Sequence, residues 1–218
     1  MSGRVNLTTL AAVLLVAGLR SIVLDAQSSP MAMQEATPRE GQQAPEFSLG
    51  ALDGTTVRLA TEVARGPVVL VVLRGWPGYQ CPFCTRQFSE YMARAADLEA
   101  TGAHVLFIYP GPAEDLKEHA EAFTKKASLP PGYRVLLDPG FTFTQAYGLR
   151  WDAPHETAYP STFVVDTHGT ITFARTSRSH GDRVPVAEVL KALGAARSVS
   201  RSEIFIATTD IQPSSGHE

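Results

Sequence analysis

Val68-Val69-Leu70-Val71-Val72-Leu73 is an unbroken apolar run rich in β-branched residues, and it predicts a strand covered on both faces. His104-Val105-Leu106-Phe107-Ile108-Tyr109, ended by Pro110-Gly111-Pro112, predicts a second buried strand of the same kind. Between them Cys84, Phe88, Tyr91, Met92, Ala95 and Leu98 recur at helical spacing and form one apolar stripe. Leu116, Ala120, Phe123 and Ala127 mark the face of a second helix. Glu114 and Asp115 stand at its start and Lys125 and Lys126 at its end, as the helix dipole favours. Val135-Leu136-Leu137 is a shorter strand before Asp138-Pro139-Gly140, and Phe143 to Tyr147 gives one or two helical turns. Thr162 to Val165 and Thr170 to Phe173 flank Asp166-Thr167-His168-Gly169, a hairpin signal. Val186, Val189, Leu190 and Leu193 form the face of a last helix, with Pro185 near its start and Gly194 after its end.

At the other end, Ala44 to Leu49 begins the ordered part, and Leu52-Asp53-Gly54-Thr55 turns the chain into Val57 and Leu59, a second short hairpin. The predicted order is therefore hairpin, strand, helix, strand, helix, short strand, hairpin, helix. Two successive βα units imply a right-handed parallel arrangement. The fold class is α/β, with a central mixed sheet flanked by helices and an N-terminal hairpin extension.

The termini read differently. Arg4 precedes an apolar stretch from Leu7 to Leu19, too short for a membrane span but suited to a signal-peptide core. Residues 1–26 are thus expected to be a leader cleaved after Ala26, or an uncleaved anchor that recruits Ile22, Val23 and Leu24. Either way the protein is expected outside the cytosol, periplasmic or extracytoplasmic. Residues 27–43 lack periodicity and predict a linker, residues 44–194 a single domain, and residues 195–218 a Ser- and Thr-rich tail to which Ile204, Ile206 and Ile211 give strand character.

Composition narrows the chemistry. Hydrophobic content of 44% and charged content of 19% describe a globular chain, and a net charge of -3 without a basic run argues against nucleic acid as a partner. The chain has two cysteines, Cys81 and Cys84, separated by Pro82-Phe83. As a staple this pair is weak, because closing so short a loop stabilises by roughly 2 kcal/mol. Structural zinc requires further ligands at set spacing, and the six histidines form no such pair. No metal and no cofactor is expected.

C-x-x-C in an α/β pattern instead reads as redox chemistry. The apolar stripe that starts at Cys84 places both cysteines in the first turn of a helix, where unpaired N–H groups and the dipole favour a thiolate. On this geometry Cys81, at the open end, is the exposed nucleophile, and Cys84, on the inward stripe, resolves a mixed disulfide.

A strand feeding C-x-x-C, a βαβ unit, then Tyr159-Pro160-Ser161-Thr162-Phe163-Val164-Val165-Asp166 with a hairpin and a final helix resembles the thioredoxin-like superfamily. With Gly41-x-x-Ala44-Pro45-x-Phe47, residues 41–194 resemble its peroxiredoxin branch, the alkyl hydroperoxide reductase and thiol-specific antioxidant group. The resemblance implies a thioredoxin-like fold and places Pro160 where that superfamily has a cis-proline. It also implies the motif P-x-x-x-T/S-x-x-C, in which Pro77 and Cys84 fit the first and last places and Cys81 replaces the hydroxyl residue. By that register Cys84 attacks peroxide, whereas the helix geometry nominates Cys81. The family supports its thiolate with an arginine, for which Arg74, Arg86, Arg175 and Arg183 are candidates, Arg175 and Arg183 across the hairpin and Arg74 from the loop.

The function expected is thus a thiol peroxidase that cycles through a Cys81–Cys84 disulfide reduced by an external dithiol. The alternative is thiol-disulfide exchange on protein disulfides, with Cys81 attacking.

Overall fold

The computed structural model describes residues 37–125 and 127–195. The leader, most of the linker and the isoleucines of the tail lie outside the described residues.

Strands β1 (Ser48–Gly50) and β2 (Thr56–Arg58) pair antiparallel as the first predicted hairpin. The Asp53 carboxylate secures its turn by accepting the Thr55 N–H at 2.9 Å. Leu59, expected in the second strand, instead opens helix α1 (Leu59–Val63) and is buried there. Next come β3 (Val68–Val72), α2 (Pro82–Ala93), α3 (Ala95–Glu99) and β4 (His104–Gly111). They are followed by α4 (Leu116–Thr124), β5 (Tyr133–Pro139), α5 (Thr142–Ala146), β6 (Ser161–Val165), β7 (Ile171–Thr176) and a last helix, α6, over 186–195.

One five-stranded sheet has the order β5-β4-β3-β6-β7, with β3, β4 and β5 parallel and β6 and β7 antiparallel to their neighbours. This is the predicted mixed sheet, and β3 is its central strand. The unbroken apolar run is explained by its two faces. Val69, Val71 and Leu73 point into one core with α2, α4 and α6, while Val68, Leu70 and Val72 point into another with β1, β2, α1 and α5. Because side chains alternate along a strand, only a continuous apolar sequence satisfies both layers.

Four details differ from the sequence pattern. The stripe from Cys84 to Leu98 is not one helix: Arg94 (φ -109, ψ 20) breaks it into α2 and α3, and Leu98 stays buried. Residues 41–43 are not a free linker, because they hydrogen-bond along the β6–β7 hairpin through Gly41 N–H to Ile171 C=O and Ile171 N–H to Gln42 C=O. Strands β4 and β5 run on through Pro110 and Pro139, which sit where each strand ends. Gly194 lies inside the last helix rather than beyond it. Glycine costs a helix only about 1 kcal/mol, and the burial of Val186, Val189 and Leu193 offsets that.

Candidate functional site

Central strand β3 delivers the chain to the site. Leu73 N–H still bonds to Ile108 C=O at 3.0 Å, so the loop from Arg74 to Gln80 starts at the C-terminal edge of the sheet. Gly75 makes that turn with φ +64, and a Cβ there would lie 1.9 Å from the Pro110 carbonyl oxygen. Only glycine allows this approach, which lets Trp76 N–H bond to Pro110 C=O at 2.9 Å. The Trp76 ring then stacks on His119 at 3.7 Å, and Gln80 bonds to both the His119 carbonyl and the Tyr109 hydroxyl. Loop and helix start are thereby fixed to β4 and α4.

Helix α2 begins with Cys81 as its N-cap in extended conformation and Pro82 at the first helical position. Proline suits that place because its missing N–H would have no partner in the helix. Both cysteines are free thiols, and both are buried, each with 1% of its surface exposed. The expectation that Cys81 is exposed is therefore corrected: its end of the helix is open in sequence but covered in space. The loop between β7 and α6 does the covering. Gly181 packs against the Phe83 ring so closely that a Cβ there would lie 3.3 Å from it.

That loop carries Arg183, whose Nη2 lies 3.5 Å from Cys84 Sγ and 3.9 Å from Cys81 Sγ. Its Nε donates to the His180 carbonyl at 2.8 Å, and its Nη1 is buried without a hydrogen-bond partner. A second donor, the Arg74 backbone N–H, reaches Cys84 Sγ at 3.3 Å. A hydrogen bond from the Cys84 thiol is the main force that pulls Cys81 down to about 5 from its ordinary value. Burial opposes this, while the Cys84 and Phe83 amides and the Arg183 charge add to it. Cys84 is pushed well up, first by holding the proton of that same bond and then by burial. The pair therefore shares one proton and one negative charge across that bond, with Cys81 drawn down and Cys84 pushed up.

The other predicted residues take different places. The Arg74 guanidinium is 2% exposed and is taken up by partners other than the sulfurs. It bonds to Glu156 at 2.8 Å, to the Tyr79 hydroxyl at 2.5 Å and to the His155 carbonyl at 2.5 Å, while the Thr157 hydroxyl donates to its carbonyl. Arg175 is exposed and pairs with Glu188 at 2.7 Å, and Arg86 lies over the Phe83 ring. Pro160, Arg175 and Arg183 line one narrow cleft together with Gln87. Pro160 is buried and its carbonyl accepts Ser177 N–H, but its peptide bond is trans, so the cis-proline implied by the resemblance is absent. A trans bond there leads directly into β6. Pro77 is half-buried in the loop before α2.

Sequence reasoning missed Glu156. Its carboxylate takes Arg74 on Oε2 at 2.8 Å and meets His180 Nε2 with both oxygens, at 3.0 and 3.2 Å. These partners are 82 and 24 residues distant, and no local signal joins them.

Residues 40–174 match the AhpC/TSA family model. The chain is 28% identical over 154 residues to the chloroplastic peroxiredoxin Q of Oryza sativa subsp. japonica, a match covering 71% of this chain and 66% of that protein. The chain thus spans just under two thirds of that relative's length. Among solved structures it resembles peroxidoxin BcpB from Mycobacterium tuberculosis, with a TM-score of 0.58 and 23% identity over 72% of this chain and 97% of that one. It also resembles a yeast mitochondrial 1-Cys peroxiredoxin, with a TM-score of 0.60 and 16% identity over 76% and 79%.

The sulfur charge leads to a first prediction. Ultraviolet thiolate absorbance of the reduced protein should show one thiolate present at neutral pH and lost as pH falls through about 5. Arg183→Met should move that midpoint upward by about one unit or more, because the thiolate loses its nearest cation. An unchanged midpoint would remove Arg183 from the site.

Proposed function

This chain belongs to the AhpC/TSA family, and we propose that its Cys81–Cys84 pair reduces hydroperoxides and closes into a disulfide that an external dithiol reopens. The observation that carries this reading is the Arg183 guanidinium, which touches both buried sulfurs and keeps one buried N–H without an acceptor. An unpaired cationic donor beside a thiolate suits a substrate oxygen on which negative charge develops.

The chemistry balances within the pair. The Cys81 thiolate attacks the terminal peroxide oxygen, forming S–OH and breaking O–O, and the departing alkoxide or hydroxide takes the Cys84 proton. Cys84, now a thiolate, attacks the sulfenic sulfur and releases hydroxide, which takes a proton from solvent to become water. Two thiols give two electrons, and the peroxide becomes an alcohol, or water, plus water. This order starts from Cys81, the thiol that is drawn down, and it departs from the family register, in which Cys84 would attack.

Burial favours a small oxidant over a protein disulfide. Thiol-disulfide exchange requires a partner sulfur to approach the attacking thiolate in line, and a small peroxide reaches a reduced sulfur that is 1% exposed more readily than a folded protein does. Thiol reduction of the resulting disulfide has a parallel in the yeast protein of similar fold, whose structure concerns resolution via glutathione and thioredoxin systems. The Leu7–Leu19 run after Arg4 supports action outside the cytosol. N-terminal sequencing of protein from the extracytoplasmic fraction should then begin at Gln27, or at Met1 if the segment stays as an anchor; recovery only from the cytosol would oppose export.

Serine variants test the order of attack. Cys81→Ser should abolish rapid peroxide consumption. Cys84→Ser should consume one equivalent and stop with a sulfenic acid on residue 81 that dimedone traps. A trapped sulfenic acid on Cys84 in the Cys81→Ser variant would reverse the two roles.

A further inference from the structure

We infer that Glu156 is a positioning residue, a buried carboxylate that ties together the two loops supplying hydrogen-bond donors to the cysteine pair and so holds Arg183 on the sulfurs. It stands between strand β5 and strand β6, on neither of the elements that carry the cysteines or Arg183, and its side chain is 12% exposed.

The carboxylate has two partners. Its Oε2 takes Arg74 Nε at 2.8 Å. Arg74 follows the central strand, and its own backbone N–H points at Cys84 Sγ. His180 Nε2 meets both oxygens, Oε1 at 3.0 Å and Oε2 at 3.2 Å. The His180 carbonyl in turn accepts Arg183 Nε at 2.8 Å, three residues along the same loop. A single carboxylate thus fixes donors that approach the sulfurs from two sides.

Arg183 depends on this support because its remaining anchors are few. Besides the His180 carbonyl, its hydrogen bonds run to the two sulfurs themselves, and Nη1 has no partner. The guanidinium therefore rests on a contact within its own loop, and the loop rests on His180. That ring is held by Glu156 on one side and lies 5.2 Å from the Trp151 ring, which stacks on Tyr159, on the other. Arg74 likewise gains its fixed orientation from Glu156, the Tyr79 hydroxyl and the His155 carbonyl. The remaining titratable group felt by the sulfurs, Tyr109 of β4, is kept protonated by burial.

Direct electrostatics and positioning predict opposite signs, which makes the role testable. Removing a negative charge from the neighbourhood of a thiolate stabilises that thiolate, so if Glu156 acted only through its own charge, its loss would lower the thiolate midpoint. If it acts by holding Arg183 in place, its loss raises the midpoint. The inference rests on the thiol chemistry proposed above, but thiolate titration needs no peroxide turnover. It therefore stands or fails separately from the peroxidase activity, which is measured in parallel.

The experiment is an ultraviolet thiolate titration of the reduced full chain, for wild type, Glu156→Ala, Glu156→Gln, His180→Phe, Arg183→Met and the Glu156→Ala/Arg183→Met double variant. Glu156→Ala should raise the midpoint by about one pH unit. His180→Phe, which cuts one arm and leaves the Arg74 pair intact, should raise it in the same direction; it and Glu156→Gln supply the reading if Glu156→Ala does not fold. In the Arg183→Met background, Glu156→Ala should give no further rise, because the element it positions is gone. A lowered midpoint, or an unchanged midpoint with only a lower melting temperature, would overturn the inference. So would an equal rise with and without Arg183.

Discussion

Two buried thiols and one guanidinium meet at the N-terminal end of α2, and the negative charge they share constrains everything around it. A buried anion without a partner is costly, so each element that reaches the pair brings a donor. The helix start brings the amides of Phe83 and Cys84, the loop after β3 the N–H of Arg74, and the loop after β7 the Arg183 side chain. The first two segments are consecutive in the chain and the third lies 99 residues from Cys84; they meet because β3 lies at the centre of the sheet, with β4 on one side and β6 on the other. The apolar run of β3 is thus the condition for assembling the site, and Gly75 is the point at which packing becomes geometry, since its approach to Pro110 sets where the loop and the cysteines begin.

The split of charge within the pair follows from the same arrangement. Cys81 stands at the N-cap, where the Phe83 and Cys84 amides and the Cys84 thiol draw it down, while Cys84 lies one turn in and is pushed up. The family motif places the attacking sulfur at the second position and a hydroxyl at the first. Replacing that hydroxyl by a thiol creates a competitor for the charge that is better placed with respect to the helix end. On the function proposed, the same replacement makes a direct Cys81–Cys84 disulfide the expected product.

Much of this was legible in the sequence, and what was hidden was long-range. Periodicity located β3, β4, both hairpins and the helix carrying the cysteines, because each of those signals is local. The break at Arg94 escaped notice because the apolar stripe continues across it, and Leu98 is buried whether or not the helix is continuous. Cys81 was expected at an open end because helix geometry alone ignores the loop that closes over it, and the Gly181–Phe83 contact is made across the chain. Arg183 stood among four candidate arginines, and the distances to the sulfurs separate it from Arg175, which faces Glu188 instead. Glu156 had no sequence signal at all, since its significance lies wholly in two partners brought to it by folding.

On the function proposed, the cysteine pair acts as a single two-electron unit on a small peroxide. The most direct test is intact and peptide mass spectrometry of the reduced full chain after one equivalent of hydrogen peroxide. The predicted result is the loss of two hydrogens, with Cys81 and Cys84 joined in one linked peptide and no free thiol left. Retention of both thiols, an added oxygen that persists on either sulfur, or a disulfide between two chains would contradict it.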